Sequence, residues 1–205
     1  MKKTIIIAVM AFAALSVITA FKISGIVVLP IGSALPMGDV KVHDIQDRHI
    51  SLKEVKRDNG LLVMFSCNTC PYVIKNQLRT QMICNYAMQH KIGVILLNSN
   101  EGQRGDDDSF AAMQSYGKTQ QYIWYYAIDQ NNALANAFGA SRTPECYLFN
   151  KSLKLAYHGA IDDNPSDPQN VKRQHLKAAI DELVAGKEVS MKETRSVGCG
   201  IKRKS

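Results

Sequence analysis

The chain has 205 residues, 46% of them hydrophobic and 21% charged, with a formal net charge of +7. That balance excludes an intrinsically disordered chain and supports one domain with a substantial core. Lys and Arg are spread along the sequence with no basic stripe interleaved with aromatics, so no nucleic-acid partner is expected. Lys2 and Lys3 precede an apolar run over residues 5–14 that continues weakly to Ala20. A basic start followed by a short apolar stretch is the pattern of a secretory signal. Residues 1–20 are therefore expected to be a signal peptide cleaved after Ala20, or else an uncleaved anchor. The run is short for a bilayer span and Lys22 interrupts it, and membrane contact is expected only if it stays attached. The folded part is then extracytoplasmic, either periplasmic or secreted. Five cysteines is an odd number, so in an oxidising compartment at least one stays free or pairs with another molecule.

Residues 21–38 read as an apolar lead-in, punctuated by Gly25, Pro30, Gly32 and Pro36, part of which is expected to add a strand. A loose alternation over 40–45 predicts a strand that ends at a turn near Asp47 and Arg48. Ser51 and Glu54 have capping-box spacing and open a short helix. Asp58, Asn59 and Gly60 form a turn before the apolar run Leu61, Leu62, Val63, Met64 and Phe65, which reads as a buried strand. Cys67, Asn68, Thr69, Cys70 and Pro71 follow, and Pro71 suits the first turn of a helix.

From Pro71 to His90, Ile74, Leu78, Met82 and Tyr86 recur every fourth residue. This predicts a helix packed by that face on the sheet, with Val73, Ile83 and Ala87 broadening the apolar side. Residues 92–97 form a second buried strand, ending in a loop at 98–102. Asp106, Asp107 and Asp108 read as the solvated acidic start of the helix at Phe110, in preference to a hard-cation site. An aromatic and β-branched strand is expected at 122–128, and a short helix at 131–138 capped by Gly139. Thr143 and Pro144 lead into a strand at 146–149, which pairs with 155–161 as a hairpin across Lys151 and Ser152. A last helix spans 171–185 and stops at Gly186. The order implies an α/β fold with a mixed sheet, parallel across the helical crossovers and antiparallel at the hairpin.

Cys67 and Cys70 stand where a strand gives way to a helix. Unpaired N–H groups and a partial positive charge at a helix start stabilise a thiolate. Cys67 is expected to attack and Cys70 to resolve the mixed disulfide. A static disulfide is the alternative; a zinc half-site finds no second Cys-x-x-Cys or His pair to complete it. No metal and no cofactor are expected. Cys84 is too far along the same helix to pair with Cys70 and reads as a core thiol. Cys146 reads as a buried structural thiol, and His158 as a strand residue. Cys199, between Gly198 and Gly200 in a tail expected to be mobile, is either a third redox thiol or an exposed or statically bonded cysteine.

A Cys-x-x-Cys at a strand-to-helix junction, with a Thr-Pro opening the strand before a hairpin, resembles the pattern of thioredoxin-fold proteins. The gap from Cys70 to Pro144 matches the branch with an extra helix-and-strand insertion, shared by peroxiredoxins and exported TlpA/ResA-type reductases. More narrowly, several stretches are similar to the peroxiredoxin-like redoxin family (AhpC/TSA type) that carries Cys-x-x-Cys. They are Phe65 with Cys67, Asn68, Cys70, Pro71, Tyr72 and Val73; Asn98, Ser99 and Asn100; and Asp107, Asp108, Ser109, Phe110 and Met113. The match continues through Thr143, Pro144 and Glu145, then Tyr157, Gly159, Ile161, Asp162 and Asp163, and finally Gly198, Cys199, Ile201 and Lys202.

The resemblance implies a thioredoxin-like domain over 39–188 and a tail over 189–205. It implies a cis bond before Pro144, with the Thr143 backbone offered to an extended substrate segment, so that Thr143 and Pro144 bind substrate. It implies a thiol–disulfide oxidoreductase whose partners are client protein thiols and a membrane or exported electron donor. A thiol peroxidase and a non-enzymatic thiol metal- or partner-binding module are the alternatives. Two departures matter. The place of thioredoxin's buried acid is Leu61 and that of the ResA-type glutamate is Val73, which leaves Glu145 as the candidate general base. In the peroxidase reading Cys70 is the reactive cysteine, but the Pro and Thr of the peroxiredoxin pattern fall on Val63 and Cys67.

Overall fold

The structure, a computed structural model, describes residues 27–204. The expected signal segment and the first part of the lead-in lie outside these residues. In chain order the first elements are β1 (Lys41–Asp44), β2 (His49–Ser51), α1 (Leu52–Val55) and β3 (Gly60–Ser66). Next come α2 (Pro71–Lys75), α3 (Gln77–Gln89), β4 (Ile92–Asn98), α4 (Phe110–Thr119), β5 (Tyr125–Ile128) and α5 (Ala133–Phe138). The chain closes with β6 (Arg142–Thr143), β7 (Glu145–Asn150), β8 (Leu155–Gly159), α6 (His175–Val184) and β9 (Cys199–Gly200).

Successive side chains of a strand point to opposite faces, and β3 uses both. Leu61, Val63 and Phe65 enter one core with Leu52, Leu134, Phe138, Tyr147 and Phe149. Leu62 and Met64 enter the other with Ile83, Cys84, Ala87, Leu148, Leu176 and Ile180. Helices therefore cover both faces, α1 and α5 on one and α3 and α6 on the other, which is why β3 and β4 read as unbroken apolar runs. The main sheet has the order β2-β1-β5-β4-β3-β7-β8. β3, β4 and β5 are parallel, joined by helical crossovers, while β7 is antiparallel to both β3 and β8. Ser66 and Asn98 face each other at the ends of β3 and β4, so the loops that follow emerge side by side. The expected capping box is present, with Ser51 and Glu54 bonded reciprocally.

Four expectations need correction. The 71–90 helix is two helices meeting at Asn76, whose N–H reaches back to Tyr72 and Val73. Its buried side is Val73, Asn76, Thr80, Ile83, Cys84 and Ala87, while Ile74, Leu78 and Met82 face solvent. Two of the buried positions are polar, so hydrophobic spacing picked the wrong face. Asn76 is satisfied there through the Tyr72 and Pro165 carbonyls, and neighbouring Arg79 pairs with Asp162 at 2.7 Å. The strand expected from Tyr122 starts only at Tyr125. The tail is not a loose end: His158 N–H donates to Lys192, Thr194 N–H donates to His158, and Val189 is buried. Among the described residues the lead-in adds an isolated bridge, Ala34 to Lys154, and no strand.

Candidate active site

The dithiol loop lies at the carboxyl ends of β3 and β4, where side chains from several segments can converge on one point. Cys67 and Cys70 are nearly sealed, at 2% and 4% exposure. They form a small cluster with Val73, against which Tyr72 and Cys199 pack. The Thr143–Pro144 peptide is cis. Thr143 touches both cysteines: its Oγ1 is 3.4 Å from Cys67 Sγ, and its carbonyl oxygen accepts from the Cys70 thiol at 3.2 Å. The structure thus brings together Cys67, Cys70, Thr143, Pro144 and Cys199.

The two sulfurs are not equivalent. α2 begins at Pro71 with Cys70 as its N-cap, so Cys70, not Cys67, stands at the helix start. A thiol bond from Cys67 draws the Cys70 pKa well below the ordinary thiol range. The Cys199 thiol and the Val73 and Cys199 amides add to this, against the opposing effect of burial. Cys67 moves the other way: it gives its proton toward Cys70, it is buried, and the Asp108 carboxylate lies close, so its pKa is raised. Cys199 is also raised, first by burial and then by Cys70. The surroundings thus favour ionisation of Cys70 over Cys67, the cysteine expected from the sequence to attack.

Asp108 is the residue that sequence reasoning missed. It was read with Asp106 and Asp107 as a solvated helix start, yet it is fully buried while its two neighbours are exposed. Its Oδ1 accepts the Asn68 amide at 2.9 Å and Asn98 Nδ2 at 2.7 Å, and its Oδ2 accepts Asn100 Nδ2 at 2.8 Å. Asn68 is further held by the Asp107 carbonyl and by the Tyr126 hydroxyl, which donates at 2.8 Å. Asn68 therefore bolts the dithiol loop to the β4–α4 segment. Its signal in the sequence was the pair of family-like stretches at Asn98–Asn100 and Asp107–Ser109, whose spatial meeting no spacing reveals.

Glu145 is neither solvent-facing nor aimed at the sulfurs. Its Oε2 accepts the Ser141 and Arg142 amides at 2.8 and 3.0 Å, and its Oε1 pairs with His158 at 2.7 Å. Burial would raise its pKa, but the His158 bond and the two amides outweigh that and lower it. Its place is beneath the β6 segment that carries Thr143, so it clamps that segment rather than touching the dithiol. Cys84 and Cys146 are fully buried core thiols raised by burial. The edge of Thr143, expected to receive a substrate strand, is taken by the chain itself: Thr143 pairs with Cys199 and Arg142 with Gly200. Among the described residues no group of three His, Cys, Asp or Glu side chains is placed to hold a metal ion, and no helix is long and apolar enough to cross a membrane.

A mixed sheet covered by helices on both faces, with Cys-x-x-Cys facing a cis-proline segment at the strand ends, defines a thioredoxin-fold dithiol protein. The Redoxin family profile matches residues 30–175, and the chain belongs to the Redoxin family, whose members are redox enzymes. An uncharacterized conserved protein from Geobacillus kaustophilus is similar, with 30% identity and a TM-score of 0.79 over 85% of this chain and 93% of that one. So is a hypothetical protein from Sinorhizobium meliloti 1021, with 28% identity and a TM-score of 0.79 over 86% and 96%. A PrxQ structure from Xylella fastidiosa shares the fold at 15% identity, with a TM-score of 0.57 over 77% of this chain and 97% of that one. Among curated proteins nothing matches.

Proposed function

We propose that this Redoxin protein is a thiol–disulfide oxidoreductase that exchanges disulfides with protein thiols through Cys67 and Cys70, outside the cytoplasm. The observation that carries the reading is the placement of the pair: both sulfurs lie against Thr143 of the cis Thr143–Pro144 segment, with Cys70 at the start of α2, where its ionisation is favoured over that of Cys67. That is the arrangement from which one cysteine attacks and the other resolves. The roles run opposite to the sequence expectation. Cys70 thiolate attacks a client disulfide, forming a Cys70–client bond and releasing the other client sulfur as a thiolate. Cys67 then loses its proton and attacks Cys70, closing the Cys67–Cys70 disulfide and freeing the client. Asp108, close to Cys67, holds that proton on by charge until the mixed disulfide has formed. Thr143 and Pro144 border the reacting sulfurs.

The test is reduction of an insulin disulfide by the pre-reduced full chain, followed as turbidity with dithiothreitol as electron source. The reading expects catalysis that is lost in Cys70→Ser, and a client trapped on Cys70 once Cys67→Ser and Cys199→Ser together remove both neighbouring thiols. Catalysis undiminished in Cys70→Ser would overturn the assignment. A second reading, a thiol peroxidase, is favoured by the near-complete burial of both sulfurs, which admits a small oxidant more readily than a protein. Stopped-flow mixing of reduced chain with hydrogen peroxide separates the two, since only a peroxidase consumes it faster than an ordinary thiol.

A further inference from the structure

The tail crosses the site on a defined path. Ile201 is buried and its N–H donates to Ser141 at 3.0 Å. Lys202 N–H donates to Asn100 Oδ1 at 2.9 Å, and Gly102 N–H donates to the Lys202 carbonyl at 2.8 Å. Arg203 Nη2 reaches the Ala140 carbonyl at 2.6 Å. The tail is therefore stitched to the segment before Pro144 on one side and to the β4 loop on the other. Its approach is close enough to need glycine: a Cβ on Gly198 would lie 2.0 Å from the Thr143 carbonyl oxygen. That register sets Cys199 directly across from Thr143, the residue whose carbonyl is already 3.2 Å from Cys70 Sγ. Cys199 thus packs on the Cys67, Cys70 and Val73 cluster from its open side, and it is the only one of the three thiols with substantial exposure.

We propose that Cys199 is a third redox thiol, and that the disulfide passes from Cys67–Cys70 to Cys70–Cys199, where an external thiol reductant reaches it. This rests on the dithiol reading above and extends it. The step is a thiol–disulfide isomerisation with no net oxidant. Cys199 thiolate attacks Cys70 sulfur, and the Cys70–Cys199 bond forms as the Cys67–Cys70 bond breaks. The electron pair leaves on Cys67, which takes up the proton that Cys199 gave up. An external thiol then attacks the exposed disulfide, a second thiol releases it, and Cys70 and Cys199 return to the reduced state. The electrostatics favour the order: while Cys70 is a thiolate it opposes ionisation of Cys199, and once Cys70 is in a disulfide that charge is gone, leaving Lys202 to favour the Cys199 thiolate. Direct attack by a protein thiol on the Cys67–Cys70 bond would instead require the β6–β9 pair to open.

The test uses the full chain equilibrated in mixtures of reduced and oxidised glutathione, with disulfide-linked peptides mapped by mass spectrometry without reduction. In Cys67→Ser, and in Cys67→Ala as a second variant, the expected product is a Cys70–Cys199 link. Glutathione held on Cys70 with Cys199 remaining free in folded protein would overturn the relay. In the unaltered chain both Cys67–Cys70 and Cys70–Cys199 links are expected. A chain that never closes Cys67–Cys70 sinks the dithiol reading and the relay with it, whereas one that closes it but never links Cys199 sinks the relay alone. As a kinetic check, Cys199→Ser and Cys199→Ala should slow reduction of the oxidised chain by glutathione about tenfold or more, because the buried bond is then the sole target. An unchanged rate in variants with native near-ultraviolet circular dichroism would contradict the proposal.

Discussion

Cys70 and Cys84 are both buried, yet their chemistry is opposite. Around Cys84 there is only apolar core, and burial raises its pKa far above the thiol range. Around Cys70 burial acts in the same direction but is outweighed by the Cys67 and Cys199 thiols and by two backbone amides. Burial alone makes a thiol inert; donors arranged at a strand end make it a nucleophile. The two cysteines share residue type and near-complete burial, so the difference lies in polar partners and in the place of Cys70 at a helix start.

That contrast is open to direct attack. The largest expected effect is on exchange: Cys70→Ser should lower disulfide reduction about a thousandfold or more, as removal of a nucleophile does, while Cys84→Ala should leave the rate per folded molecule unchanged. An equal loss in both variants would show that the core thiol is not a bystander. Next is the clamp under β6. Glu145→Ala leaves His158 and two amides without their acceptor, and is expected to cost about 3–5 kcal/mol in urea unfolding. The Glu145 pKa is lowered on folding, so its contribution is complete above the ordinary glutamate value of about 4.3 and fades as pH falls through the folded value. Glu145→Gln should flatten that part of the acid limb, and an acid limb of unaltered slope would remove Glu145 from the account.

A smaller effect is expected behind the dithiol. Asp108→Asn removes the charge beside Cys67 and leaves one acceptor oxygen for three N–H donors, a loss of about 1–3 kcal/mol. It should also make Cys67 easier to ionise, read as faster alkylation of Cys67 in the Cys70→Ser background. No acceleration would mean that Asp108 acts on the loop's position and not on its charge. Smallest of all is the solvent face of α3: Leu78 is 75% exposed, and Leu78→Lys should change stability by no more than about 0.5 kcal/mol. On the opposite side, Ile83→Ala should cost about 2–5 kcal/mol. Reversal of that order would restore the face read from the sequence.

The parts legible in the sequence are those in which neighbouring residues carry the information. β3 was readable because both of its faces are buried, so its run is continuously apolar. The Ser51–Glu54 box and the Cys67–Cys70–Pro71 junction are local patterns and stand as read. Two readings failed where the decisive partners come from elsewhere in the chain. The inner face of α2 and α3 contains Asn76 and Thr80, whose burial is tolerated through tertiary contacts. Asp108 looks like its exposed neighbours until Asn68, Asn98 and Asn100 meet around it. Cys199 fell between these cases: its glycine neighbours suggested a loose tail, but the two-residue β6–β9 pair that fixes it has no period for a sequence pattern to show.

The most direct test of the central claim is the pH dependence of iodoacetamide labelling of the reduced full chain, with each cysteine quantified by mass spectrometry. The account predicts that Cys70 is labelled first and stays reactive down to about pH 6, below the range of an ordinary thiol, while Cys84 and Cys146 label only on unfolding. Labelling led by Cys67, or by no cysteine until the pH nears that of a free thiol, would contradict it.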